Sequence, residues 1–177
     1  MKTQELIWVY PEKKPALFQS IIHEFGIHPV IAQVLISRGY NTIEDVHEFL
    51  YAKLPNLYDP ELFPDMDLAV ERVIAAIRNK EPILIYGDND VDGMTAATLL
   101  TEFLRAIGAR VFFQLPKRGS LKKSLIGDAL EVANVHHCKL LITVDCGITA
   151  ASEVEELVRR GIDVIITDHH EQTAKIP

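Results

Sequence analysis

A chain of 177 residues with 48% hydrophobic and 24% charged residues can bury a substantial core and lacks the composition of a disordered segment. Its formal net charge of -7, from 18 basic and 25 acidic residues, excludes a protein that grips nucleic acid electrostatically over its whole surface, so any basic surface must be local. Cys138 and Cys146 form no C-x-x-C pair, no apolar leader follows Met1, and no run reaches the ~18 apolar residues that span a bilayer; a cytoplasmic protein without disulfides, zinc ribbon or membrane contact is expected.

The first 80 residues read as a helical segment. From His28 to Gly39, Pro29 sits where a first helical turn tolerates it, Ile31, Val34 and Leu35 fall at helical spacing, and Gly39 closes the end. Thr42 with Asp45 three residues on resembles a capping box opening a helix through Phe49 and Leu50. After Pro55, Pro60 and Pro64, Asp65 is the expected cap of a longer helix with Met66, Ala69, Val70, Val73 and Ile77 on one face. A boundary is expected near Asn79 to Glu81, dividing residues 1–80 from a domain over 81–177.

From Pro82 onward short apolar runs alternate with helical stretches, the pattern of an α/β domain whose parallel sheet is joined by crossover helices. The expected strands are Ile83 to Tyr86, Val111 to Leu115, Leu140 to Val144 and Val164 to Thr167. Helices are expected over Thr95 to Ile107, with Ala96, Leu99, Leu100, Phe103 and Leu104 on one face, and over Ala151 to Arg160. His136 and His137 read as the end of another helix.

Three of these strands run into acids or histidines: Gly87-Asp88-Asn89-Asp90-Val91-Asp92-Gly93, Asp145-Cys146-Gly147, and Asp168-His169-His170-Glu171. In a parallel sheet they would share one edge, where ligands collect. A single Asp at such a turn is an ordinary helix cap. Three acids alternating within five residues exceed what one cap needs, and together with the others they would repel unless divalent cations neutralised them. Asp88-x-Asp90-x-Asp92-Gly93 also matches the start of an EF-hand loop, but Leu99 stands where that loop needs Glu, and a strand-like run precedes it. Phosphate-loop, dinucleotide and serine-hydrolase motifs are missing. Mixed carboxylate and imidazole donors suit manganese, with magnesium as a substitute and zinc or cobalt as competitors. Two such ions ~3.5–4 Å apart would serve an in-line phosphoryl displacement, so phosphoester hydrolysis is the expected reaction class.

Asp88-Asn89-Asp90-Val91-Asp92-Gly93, Thr143-Val144-Asp145-Cys146-Gly147 and Asp168-His169-His170 resemble, in order and spacing, the first three motifs of the DHH phosphoesterases. The helical N-terminal segment, with Arg38-Gly39, Phe49-Leu50 and Asp59-Pro60, is similar to that of the family's single-strand-specific DNA exonucleases. The resemblance implies 5'-to-3' exonucleolytic hydrolysis of single-stranded DNA in repair and recombination, with Mn2+ or Mg2+ as cofactor and a helicase or single-strand-binding protein as possible partner. It implies that Asp88, Asp90 and Asp145 hold one ion, that Asp92, Asp145 and His169 hold the other with Asp145 bridging, and that His170 faces the scissile phosphate. Asn89 stands where these exonucleases usually carry Tyr, and Gly119-Ser120-Leu121 departs from their usual loop. Lys117, Arg118, Lys122 and Lys123 put four charges on that loop and read either as a phosphate track or as a solvated turn. The family also has a further Asp motif and a second domain beyond this point, so the chain is expected to be a weakly active fragment. Hydrolysis of short oligonucleotides or cyclic dinucleotides, and a metal-free DNA-binding scaffold, are the alternatives.

Overall fold

The computed structural model describes residues 14–116 and 125–177, which fall into two compact units, Met1–Asp59 and Pro60–Pro177.

In the first unit, α1 (Pro15–Phe25), α2 (Pro29–Ser37) and α3 (Ile43–Leu50) enclose a small core of Ile21, Ala32, Leu35, Ile36 and Val46. The Thr42 hydroxyl accepts the Asp45 N–H at 3.0 Å and Asp45 Oδ2 accepts the Thr42 N–H at 3.1 Å, so the expected capping box is formed. Pro29 occupies the first turn of α2, where the His28 ring accepts the Val30 N–H at 3.3 Å.

The second unit contains α4 (Met66–Arg78), β1 (Ile83–Gly87), α5 (Val91–Ala106), β2 (Val111–Gln114), α6 (Leu125–His136), β3 (Leu140–Val144), α7 (Ala151–Arg159) and β4 (Asp163–Thr167). The strands form one parallel sheet in the order β2-β1-β3-β4. Each central strand is buried on both faces, as its unbroken apolar run requires. Ile83, Ile85, Leu140 and Ile142 pack with Ala76 of α4 and Ala97 and Leu104 of α5. Leu84, Tyr86 and Leu141 pack on the other face with Ala129 and Ala133 of α6 and Leu157 of α7. Each fully buried aliphatic side chain there contributes about 1.5–3 kcal/mol through removal from water.

Four expectations are corrected. Asp65 is left-handed, with φ 60° and no side-chain hydrogen bond to the α4 N-terminus, because the turn entering the helix takes that residue out of the extended conformation a cap uses. Val70 is 47% exposed, since the sheet is met by Val73, Ala76 and Ile77 instead. α5 starts at Val91 rather than Thr95, because the Asp90 carboxylate accepts the Gly93 N–H at 3.1 Å and nucleates the helix immediately after β1. Leu99 and Phe103 are 74% and 58% exposed; the face turned to the sheet carries Ala96, Ala97, Leu100 and Leu104.

α4 belongs to the second compact unit, although composition changes only after it. Besides its apolar contacts, Arg72 ties it to the sheet through Asp163 at 2.6 Å and Glu81 at 2.8 Å, and reaches the Lys139 carbonyl at 3.3 Å. No helix among the described residues is long and apolar enough to cross a membrane.

Candidate metal centre at the strand ends

The chain leaves β1 for β2 on one side of it and later returns to place β3 on the other. Such a reversal opens a crevice between the carboxyl ends of β1 and β3. Gly87 is level with Val144, and Val144 with Thr167, so the next residue of each strand, Asp88, Asp145 and Asp168, arrives at the same edge. A cleft of about 290 Å³ lies there, lined by Asp88, Asp145, Asp168 and His170 together with Tyr86, Pro116, the turn from Cys146 to Ala150, and Glu153.

On the β1 side the backbone is drawn in tightly. A Cβ on Gly93 would sit 2.5 Å from the Asp88 carbonyl oxygen and 2.7 Å from its nitrogen, so only glycine lets the first turn of α5 lie against the end of β1. Asp88 Oδ1 accepts the Asn89 N–H at 2.7 Å. Asp90 is held below the usual carboxylate range, first by the Gly93 N–H and then by Asp92. Asp92, in the first turn of α5, is largely exposed.

The β3 and β4 side is buried and cross-braced. The Asp145 side chain is only 6% exposed, and neither of its oxygens has a well-formed hydrogen bond. His169 Nε2 lies 2.9 Å from Asp145 Oδ1 and 3.6 Å from Asp92 Oδ2. Burial pushes the Asp145 carboxyl up, and the charges of Asp92 and Asp90 add to that. Asp145 has φ 60° and Gly147 φ 109°; a left-handed aspartate costs about 1–2 kcal/mol and persists where its surroundings impose it. Here the Asp145 N–H donates to the Thr167 carbonyl at 2.8 Å, the Thr167 hydroxyl donates to the Thr143 carbonyl at 2.8 Å, and Asp168 Oδ2 accepts the Ile148 N–H at 2.9 Å. Asp168 Oδ1 meets His170 Nδ1 at 2.7 Å. Burial works to raise the Asp168 carboxyl, but the N–H groups of Ile148 and His170 outweigh it and hold it low. The same hydrogen bond raises His170 above the ordinary imidazole range.

Among the described residues two clusters of ligand atoms result, each within 4.8 Å: Asp90, Asp92 and Asp145, and Asp145, His169 and His170. Asp145 is common to both. Asp88 is in neither cluster but lines the same cleft. Lys117, Arg118, Lys122 and Lys123 lie outside the described residues. Buried carboxylate oxygens without a well-formed hydrogen bond, facing further acids and an imidazole, fit a divalent cation, whose charge would offset their repulsion and desolvation.

Sequence reading overlooked Asp168 as more than part of a motif. Its local signal was available, since an aspartate two residues before a loop residue commonly accepts that residue's N–H, as Asp168 does from His170 at 3.1 Å. Its bond to Ile148 had no such signal.

The fold and the strand-end donors define a parallel α/β domain with carboxylate and imidazole groups gathered at the carboxyl ends of its strands. The model of the DHH family, N-terminal domain, matches residues 82–177, and the chain belongs to that family. It is 33% identical to the single-stranded-DNA-specific exonuclease RecJ of Bacillus subtilis over all of its length and 22% of that protein's. It is 32% identical to the RecJ of Thermus thermophilus over 88% of this chain and 22% of the relative. Among solved structures, RecJ from Thermus thermophilus in complex with Mn2+ aligns with TM-score 0.60 and 28% identity, covering 93% of this chain and 22% of that one. A second, exonuclease RecJ bound to manganese, aligns with TM-score 0.56 and 34% identity over 62% of this chain and 28% of that one. The chain thus spans 22% of the length of each of these two curated relatives.

Proposed function

We propose that this chain carries the metal-binding half of the active site of a single-strand-specific DNA exonuclease of RecJ type, hydrolysing phosphodiester bonds from the 5' end. The observation that carries the reading is the Asp145 carboxylate, buried without a well-formed hydrogen bond and shared by both ligand clusters. The named activity of relatives similar over 100% and 88% of the chain supplies the substrate class.

Manganese is the cation favoured by the donor set and by the similar RecJ structures; magnesium is the expected substitute. Asp90, Asp92, Asp145 and His169 would hold the ions, Asp145 being common to both ligand clusters, and Asp88, which lines the same cleft, would add a further carboxylate. When bound, such ions activate a water and stabilise the charge that develops on the phosphoryl oxygens. The chain's own groups do the positioning. Asp168, an ionised acceptor, accepts a hydrogen bond from His170 Nδ1–H, which leaves Nε2 as the nitrogen available to the cleft that the ring lines. The hydrogen bond to Asp168 also favours the protonated ring, and in that form Nε2 carries a proton and serves as a donor to a non-bridging phosphate oxygen.

Because a duplex must be opened before such an enzyme can act on it, a helicase or single-strand-binding protein is the class of partner proposed, in a cytoplasmic setting. The loop with Lys117, Arg118, Lys122 and Lys123 is proposed as a local phosphate track, the kind of basic surface that an acidic chain requires. The test is degradation of 5'-labelled and 3'-labelled DNA by the full-length protein with Mn2+. Release of short products from single strands, with duplex left intact and activity lost on chelation, is expected. Equal attack on duplex would sink the proposal.

A further inference from the structure

Asp168 is a buried charge that lies in neither ligand cluster, yet it joins the turn after β3 to the segment after β4, both of which line the cleft. Its side chain is 2% exposed. Oδ1 takes the His170 imidazole at 2.7 Å and the His170 N–H at 3.1 Å, while Oδ2 takes the Ile148 N–H at 2.9 Å. Ile148 lies in the turn that follows β3, which holds two left-handed residues, Asp145 and Gly147. A buried carboxylate is stable only when its lone pairs are occupied by donors, and here three N–H groups occupy them. The same bonds act in the other direction, fixing the ring and the turn that supply them.

An imidazole whose Nδ1–H is given to a carboxylate has one tautomer and one ring orientation, with Nε2 free. A strained turn with an N–H held by a rigid acceptor just past the neighbouring strand cannot relax without breaking that bond. Both restraints end on the same side chain, so a shift of the turn and a rotation of the ring are mechanically linked.

We propose that Asp168 is the positioning residue of this centre: one carboxylate holds His170 with Nε2 toward the cleft and, through the Ile148 N–H, holds the turn that presents Asp145. The inference rests on the reading of Asp145 and His170 as working groups. It assigns Asp168 no contact with substrate or cation.

Two readouts on the full chain test it. The first needs no substrate: 15N NMR of the histidine rings identifies which nitrogen of His170 carries the proton, with His170→Ala supplying the assignment. At a pH high enough for the ring to be neutral, the wild-type His170 is expected in the Nδ1–H form, and Asp168→Ala is expected to abolish that preference. The second is turnover on labelled single-stranded DNA with Mn2+. Asp168→Ala is expected to lower kcat ~10–100-fold, the usual effect of losing such a supporting partner, with KM little changed. Combined with His170→Ala, the further loss caused by Asp168→Ala should be much smaller, the remainder reporting the turn. If Asp168→Ala does not fold, Asp168→Asn carries both readouts, because its single carbonyl oxygen can serve His170 or Ile148 but not both.

An Nδ1–H ring that survives loss of Asp168, or a loss of turnover as large without His170 as with it, would overturn the proposal. A tautomer change in a chain that leaves single-stranded DNA intact would instead overturn the substrate reading and support the positioning role.

Discussion

On the β1 side of the cleft, Asp88 and Asp90 give their oxygens to backbone N–H groups one and three residues ahead, whereas across the cleft Asp145 is buried with no well-formed hydrogen bond and its turn is held by residues twenty or more positions away. The first side is assembled locally: an aspartate cap and a glycine whose missing side chain admits the helix. The second is assembled by strand pairing, which brings Thr167 and Asp168 against the turn after β3. The difference separates two uses of acidic residues. Local caps stabilise the fold as they stand, while the buried acid destabilises it until something positive arrives.

The sharpest break would come from Asp145. Replacing it with Ala is expected to lower turnover by about 10³-fold or more, because several kcal/mol of charge stabilisation are lost at about 1.4 kcal/mol per decade. The conservative Asp145→Asn tolerates the left-handed backbone and removes the buried charge. It should raise the melting temperature of the metal-free chain by about 2–4 °C, corresponding to about 1 kcal/mol. Mn2+ should stabilise the wild type, by linkage, and leave that variant unmoved. Calorimetric scans with and without Mn2+ check both points, and a metal-free Asp145→Asn less stable than wild type would erase the contrast between the two sides.

Gly93→Ala tests the β1 side. A methyl group 2.5 Å from the Asp88 carbonyl oxygen forces the start of α5 away from β1, at a cost of about 1–3 kcal/mol for overpacking. Lower thermal stability and weaker Mn2+ binding by titration are expected together, since Asp90 and Asp92 move with that turn.

Asp90→Asn separates the cap from the charge. Asn caps helices as well as Asp does, so the melting temperature should hold while Mn2+ affinity falls. A drop in stability without a change in affinity would make Asp90 a cap and nothing more. The smallest effect is expected at Thr167→Val, where loss of one hydrogen bond to the Thr143 carbonyl costs about 1 kcal/mol. That change should slow turnover only modestly, as the Thr167 carbonyl still holds the Asp145 N–H.

The parallel sheet was legible because its central strands are apolar runs buried on both faces, and the capping box at Thr42 because both partners lie within one helical turn. The exposed Leu99 and Phe103 were not legible, since periodicity shows that a face is apolar and not how wide a strip the sheet will cover. The same holds for Asp65, whose type suits a cap but whose backbone was set by the preceding turn. At the candidate site, the sequence by itself determined which donors exist and, through strand boundaries, that Asp88, Asp145 and Asp168 reach one edge. Only the tertiary structure decided that Asp145 would be buried in a left-handed turn and that Asp168 would face Ile148 as well as His170. Those facts depend on the register between β3 and β4 and on a turn braced from the neighbouring strand, contacts between residues far apart in the chain that no local pattern encodes.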